Sequence, residues 1–320
     1  MKAAVGTPNG LELRDVPQPR PKPHEVLVKV RAAGLNRADL SAARGAGGHG
    51  QAGATVGLEW AGEVVEAGGE VRHFKAGDRV VCSGAGGYAE YAVADVGRTM
   101  AMPAGIGFAD AAVLPIALIT MHDALITHGR MAAGDSVLIQ GASSGVGLMG
   151  LQIAWLKGAS PVIGSSTNDA RRQRLNDFGA DLAIDTRDAA WPDQVLKATD
   201  GKGVNVIVDM VSGATVRAAM RATALRGRIV NVGRLGGQKA EFDFDLHALR
   251  RIDYVGVTFR TRTLDEVREI MRRMTADLWD AVSAGKLRLP VDRSFTLDQA
   301  VEAQAHMRAN AHFGKIVLIP

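Results

Sequence analysis

A single cysteine, Cys82, stands among the 320 residues of the chain. One cysteine closes no disulfide within the chain and supports no cysteine-based zinc site. Nothing in the sequence asks for an oxidising compartment, and a cytoplasmic location is expected. Aromatic residues are scarce at 5%, and the tyrosines are Tyr88, Tyr91 and Tyr254. No run of about 18 apolar residues occurs, so no membrane-spanning helix is expected. The most apolar stretch, residues 108–120, carries Asp110 and Pro115 and is too short. The first residues are broken by Gly6 and Pro8 before an apolar run develops, which does not read as a signal peptide. Blocks of one charge are missing too. The 38 basic and 34 acidic side chains give a net charge of +4, spread evenly with no basic arm. That distribution argues against nucleic acid as a main partner. No internal repeat or low-complexity tract is found.

What is present is an ordinary globular balance, 47% hydrophobic and 22% charged. At about 150 residues per domain the length suggests two domains, large enough to bury a core without covalent staples. Residues 1–100 read as short strands between glycine turns. Residues 25–31 follow a proline-rich lead (Pro17, Pro19, Pro21, Pro23), and further strands fall at 62–66, 77–81 and 86–93. Such spacing suggests a small β-barrel-type domain. Residues 44–53, rich in glycine, read as a mobile loop containing His49, which is expected in solvent rather than on a metal. The rhythm then changes. Residues 108–125 read as a buried helix interrupted at Pro115. Strands at 136–140, 161–164, 181–184, 204–209, 228–233 and 252–258 alternate with helices, including 146–157 and 170–178. Alternation of this kind means a parallel sheet with helices on both faces. The tail returns to mixed elements, with helices at 263–284 and 297–308 and a strand at 315–319.

The strongest local signal is Val137-Leu-Ile-Gln-Gly-Ala-Ser-Ser-Gly-Val-Gly147, placed where a strand ends and a helix begins. The amides and dipole of a helix N-terminus favour a pyrophosphate, which makes Ala142, Ser143, Ser144, Gly145, Val146 and Gly147 candidate cofactor contacts. The strict Gly-x-Gly-x-x-Gly pattern is broken, because Ala142 and Ser144 stand where its first two glycines would fall. A short-chain dehydrogenase is excluded, since no tyrosine has a lysine four residues on. The acid that usually holds the adenosine ribose hydroxyls at the end of the second strand is also missing. Ser165 and Ser166 stand there, followed by Arg171. Small hydroxyls and a guanidinium suit a 2′-phosphate, so NADPH is expected over NADH. Asp169 reads as a helix-start residue.

Nine fragments in order carry a resemblance over essentially the whole chain. They are residues 34–39 (GLNRAD), 57–62 (GLEWAG), 77–80 (GDRV), 87–91 (GYAEY), 114–125, 142–147, 208–211, 227–230 (GRIV) and 313–318 (FGKIVL). The chain resembles the zinc-independent quinone oxidoreductases of the medium-chain dehydrogenase/reductase superfamily. The resemblance implies a GroES-like domain from residues 1–118 and 258–320, a doubly wound Rossmann domain from 119–257, and a cleft between them. Zinc members hold catalytic zinc with an early Cys and a His before a Glu, where this chain has Asn36 and, before Glu59, Leu58. Neither is a normal zinc ligand, so no metal and no alcohol oxidation are expected. The reaction implied is hydride transfer from NADPH to a quinone. A reductase of α,β-unsaturated carbonyls is the alternative, and a non-catalytic crystallin-like or RNA-binding role a second one.

In the family Asn36 would donate to the acceptor oxygen or the cofactor ribose, with Asp39 and Ser41 near the substrate. Thr120, Thr186, Val232, Gly233, Val257, Thr258 and Lys315 would join the cofactor site. Ser41 and Thr186 stand where several relatives carry tyrosine, and Arg171 where a lysine is expected. A homodimer joined through the Rossmann sheets is implied, with residues 252–258 as the edge strand.

Overall fold

The computed structural model describes residues 1–44 and 52–320. The glycine-rich segment between them, with His49, lies outside the described residues. The chain folds as two compact units, one from Met1–Ile116 with Phe259–Pro320, the other from Ala117–Thr258.

The first unit begins with a hairpin, β1 (Lys2–Thr7) and β2 (Gly10–Asp15), paired antiparallel with Thr7 opposite Gly10. In its turn Pro8 fixes the backbone at the first position and Gly10 takes the positive φ of +119°. The main sheet contains β3 (Glu25–Gly34), β4 (Glu59–Ala67), β5 (Arg79–Ser83), β6 (Tyr91–Asp95) and β7 (Thr99–Ala101), with β14 (Val291–Thr296) and β15 (Lys315–Ile319) from the far end of the sequence. Its order is β14-β15-β3-β4-β5-β7, and β6 also pairs with β3. Val26, Val28, Val30, Leu35, Trp60 and Tyr88 fill the core beneath it. The tail helix Leu264–Ser283 opens with a reciprocal cap in which Thr263 and Glu266 satisfy each other's backbone N–H. Its Arg268 holds Asp95 at 2.6 Å.

The second unit is a six-stranded parallel sheet of β8 (Val137–Gln140), β9 (Val162–Ser165), β10 (Leu182–Ile184), β11 (Val204–Asp209), β12 (Thr223–Asn231) and β13 (Asp253–Gly256). The order is β10-β9-β8-β11-β12-β13. Numbered within the unit this is 3-2-1-4-5-6, the dinucleotide-binding order, which reverses between β8 and β11. The expected Rossmann and GroES-like architecture is therefore observed. Two helices differ from expectation. Residues 170–178 split into a helix, Asp169–Gln173, and a 3₁₀ turn, Leu175–Phe178, ended by Gly179 at φ +92°. The run Phe108–His128 breaks before Pro115, as expected, but continues as a wide π-helical turn over Asp123–His128. That run is long and apolar enough to span a membrane, contrary to the sequence estimate, yet 78% of its most apolar window is buried in the protein. Core helices reach such hydropathy by packing.

Candidate active site

In the second unit the site is built at the end of β8. Gly141, at φ +76°, makes the turn that the strict motif assigns to the next position. Ser144 caps the helix Gly145–Leu156, its Oγ accepting from the Gly147 N–H at 3.1 Å and donating to the Gly141 carbonyl at 3.0 Å. A Cβ on Gly147 would lie 2.6 Å from the Ala142 Cα and 2.7 Å from the Gly141 carbonyl oxygen, so only glycine lets the helix start this close to the strand. Ala142 is buried and its N–H is spent on the Ser165 carbonyl. Among the described residues the N–H groups of Ser143, Gly145 and Val146 have no acceptor. Orphan amides gathered at a helix start fit an anion, and here they fit the pyrophosphate of a dinucleotide.

The end of β9 divides its serines. Ser165 is 1% exposed and accepts the Gly141 N–H at 3.1 Å, so it latches the loop. Ser166 bonds Ser143 hydroxyl to hydroxyl at 3.1 Å and thereby joins the loop edge. Arg171 donates its backbone N–H to the Asn168 side chain, which caps the helix Asp169–Gln173. The guanidinium against the strand end belongs to Arg172. It donates to the Ser166 carbonyl at 3.1 Å and pairs with Asp185 at 3.2 Å and Asp169 at 3.0 Å. Arg187 pairs with the same two carboxylates. The Arg187 hydrogen bonds hold the Asp185 carboxyl down to about 2. Thr186 is half-buried beside this group.

Further round the sheet, Val232 and Gly233 both donate backbone N–H to the Asp209 carbonyl. Val257 donates to the Asn231 carbonyl and precedes Thr258, while Thr120 is buried on the helix Pro115–His122. Sequence reasoning missed the polar knot beside them. Asp209, buried at the end of β11 with its carboxyl pushed upward by burial, accepts from Val211 and Ser212. Ser212, held at φ +57°, donates to the Gly233 carbonyl at 2.8 Å and meets Asn231. An acid closing an apolar strand was the available signal. A cavity of about 260 Å³ opens there, lined by Ser212, Asn231, Arg234 and Tyr254 among others.

In the first unit Asn36 lies just past β3, 7% exposed. Its Nδ2 donates to Glu59 Oε1 at 2.9 Å, and its Oδ1 accepts from Lys315 Nζ at 2.8 Å. Lys315 Nζ also meets Glu59 Oε1 at 2.6 Å, and Glu59 Oε2 accepts the Ile116 N–H at 2.8 Å. Lys315, expected at the cofactor, is thus a buried partner of Asn36. Gly34 makes room, since a Cβ there would lie 2.6 Å from Glu59 Oε1. Asp39 is 1% exposed. Its Oδ2 accepts from the Asn36 backbone N–H and the Tyr88 hydroxyl, each at 2.7 Å, while Oδ1 has no partner. Burial pushes this carboxyl up to about 7, against the two hydrogen bonds. The Tyr88 hydroxyl is raised by burial and by Asp39. Ser41 is exposed. In the sequence Glu59 and Tyr88 stand only within the family fragments 57–62 and 87–91, with no role in the site assigned to either.

The residues do not fit a zinc ion. Asn36 is bound into an ion pair, Leu58 is a hydrocarbon, and an ammonium sits 2.8 Å from Asn36 Oδ1. Among the described residues no group of three His, Cys, Asp or Glu could hold a metal.

Comparison with known proteins places these features in context. The family model described as an alcohol dehydrogenase GroES-like domain matches residues 22–104, and one described as a zinc-binding dehydrogenase matches residues 145–276. A quinone oxidoreductase of Rattus norvegicus is 30% identical over 321 residues, covering 98% of this chain and 95% of the relative. A phenolphthiocerol/phthiocerol polyketide synthase subunit of Mycobacterium tuberculosis is 29% identical over 98% of this chain, but the chain spans 14% of that far longer protein. A mycobacterial structure solved in complex with NADPH superposes with a TM-score of 0.88 at 27% identity, covering the whole of both chains.

Proposed function

Because this chain belongs to the quinone oxidoreductase family of the medium-chain dehydrogenase/reductase superfamily, we propose that it reduces quinones with NADPH and without zinc. The observation that carries the proposal is the donor set around Asn36. Where a zinc enzyme needs a Lewis acid, this chain offers a carboxamide N–H fixed by a buried ion pair. That group cannot ionise an alcohol. It can stabilise negative charge arriving on the oxygen of an acceptor already activated by conjugation.

When bound, NADPH supplies the hydride. The N–H groups of Ser143, Gly145 and Val146 hold the pyrophosphate. Ser166, with Arg172 held against its carbonyl, receives the 2′-phosphate, and Arg171 on the following helix adds positive charge. The NADPH-bound mycobacterial relative supports the same choice. Asn36 donates to the acceptor oxygen as charge builds there, an interaction made chiefly in the transition state. The proton that completes the product comes from water.

A screen of NADPH oxidation with 1,4-benzoquinone, small enones and acrylates, repeated after exhaustive chelation, tests this reading. Turnover of the quinone that persists under chelator is expected. Preference for enones or acrylates would move the acceptor to α,β-unsaturated carbonyls, which the same donor serves. Alcohol oxidation abolished by chelation would overturn the proposal.

A further inference from the structure

Asn36, Glu59 and Lys315 form a closed cycle. Lys315 Nζ touches both Asn36 Oδ1, at 2.8 Å, and Glu59 Oε1, at 2.6 Å, and Glu59 Oε1 receives the Asn36 Nδ2 hydrogen at 2.9 Å. Closure of that cycle on one side of the amide plane requires the Nδ2 hydrogen syn to Oδ1. The anti hydrogen is left uncommitted. A carboxamide has two orientations related by a flip, and the cycle accepts only one of them. Turned over, the amide would set its N–H against an ammonium that cannot accept and its oxygen against a carboxylate that cannot donate. Both charged partners are buried, with side-chain exposures of 4% and 0%, so screening does not soften the choice. Ile116 and the missing Cβ of Gly34 keep the carboxylate in place.

We propose that Glu59 and Lys315 are positioning residues which lock the Asn36 carboxamide in the orientation that offers a free N–H, not a carbonyl oxygen, to the acceptor. The inference rests on the reading that Asn36 donates to that acceptor. A preoriented donor needs no reorganisation as charge develops, whereas an amide free to turn offers its repelling oxygen part of the time. The two ions act through Asn36 and need not touch substrate or cofactor.

The test uses the charge-neutral pair Glu59→Gln/Lys315→Met, so that neither partner is stranded as a lone buried ion. Asn36→Ala is made in the parent and in this background, and Lys315→Arg separately. Stopped-flow hydride transfer to 1,4-benzoquinone, NADPH titration by fluorescence and thermal melting are measured on each. Asn36→Ala alone should slow transfer about a hundredfold, as for loss of one oxyanion donor. The charge-neutral pair should slow it by a similar factor with unchanged NADPH affinity. Asn36→Ala should then cost little more in that background, because residues acting as a unit are not additive. Lys315→Arg should restore most of the rate. Additive losses, or a normal rate per folded molecule in the charge-neutral pair, would overturn the positioning role while leaving Asn36 as donor. A normal rate in Asn36→Ala would instead remove the functional reading beneath it. The unaltered protein without cofactor gives an independent check that survives any failure of the variants to fold. Two resolved Asn36 side-chain N–H signals, one downfield and protected from exchange, are expected by ¹⁵N NMR. Two side-chain protons that both exchange freely with solvent, neither shifted downfield, would refute the lock.

Discussion

Asp39 turns burial into a dependence of stability on pH. Its carboxyl sits 1% exposed with both hydrogen bonds on Oδ2 and nothing on Oδ1, and it titrates near 7 instead of 3.8. A raised folded value means that the native chain holds this proton more tightly than the unfolded chain. The resulting stability is full below the unfolded value and is lost as pH rises through the folded one. At pH 5 the unfolded carboxyl is already ionised while the folded one is protonated. Climbing to pH 7, where the folded carboxyl is half ionised, should then cost about 2 kcal/mol. Asp185 and Glu269, both held down to about 2, stay ionised throughout this window and drop out. Asp39→Asn removes the titration while keeping an oxygen for the Asn36 N–H and the Tyr88 hydroxyl. Stabilities of both proteins from urea unfolding at pH 5 to 8 should show the parent losing ground to the variant by about 2–3 kcal/mol, then a plateau. A parent-minus-variant difference that does not move with pH would refute the reasoning.

Gly147→Ala should weaken NADPH binding at least tenfold by fluorescence titration, because its Cβ would meet backbone atoms 2.6–2.7 Å away and displace the amide cradle. The parent should bind NADPH at least tenfold more tightly than NADH, about 1.4 kcal/mol. Arg172→Ala should narrow that ratio, and equal dissociation constants in the parent would count against the 2′-phosphate assignment. Light scattering at micromolar concentration should give twice the chain mass, since β13 leaves a free edge on the parallel sheet. A monomeric mass would refute pairing there.

The Rossmann half was legible because its signals are local. An apolar strand running into Gly-Ala-Ser-Ser-Gly-Val-Gly announces a turn and a helix start within eleven residues, and the following strands repeat the rhythm. β14 is hard to see because Val291–Thr296 is mostly exposed and shows only Val291 and Phe295 as apolar positions, separated by Arg293 in the strand alternation. Arg172 is not singled out in the sequence, yet helix phase turns it back to donate to the Ser166 carbonyl. The resemblance implies Lys315 at the cofactor. In the structure its ammonium meets Asn36 and Glu59, 279 and 256 residues away, and no local pattern can report such a pairing.

The division of the first unit between two distant stretches of chain sets a clock on its assembly. Glu59 is synthesised 256 residues ahead of the ammonium that neutralises it. At about 5–20 residues per second the ribosome needs roughly 13–50 s to cover that distance. Throughout this interval the carboxylate has no buried counter-ion, and closing β4 over it would strand a charge in the core. The whole of Ala117–Thr258 emerges meanwhile as one uninterrupted stretch able to complete its own sheet. The nucleotide-binding half can therefore mature on the nascent chain, while the half carrying Asn36 waits for a late arrival, so a chain interrupted during synthesis could bind cofactor and still lack the group that receives the acceptor.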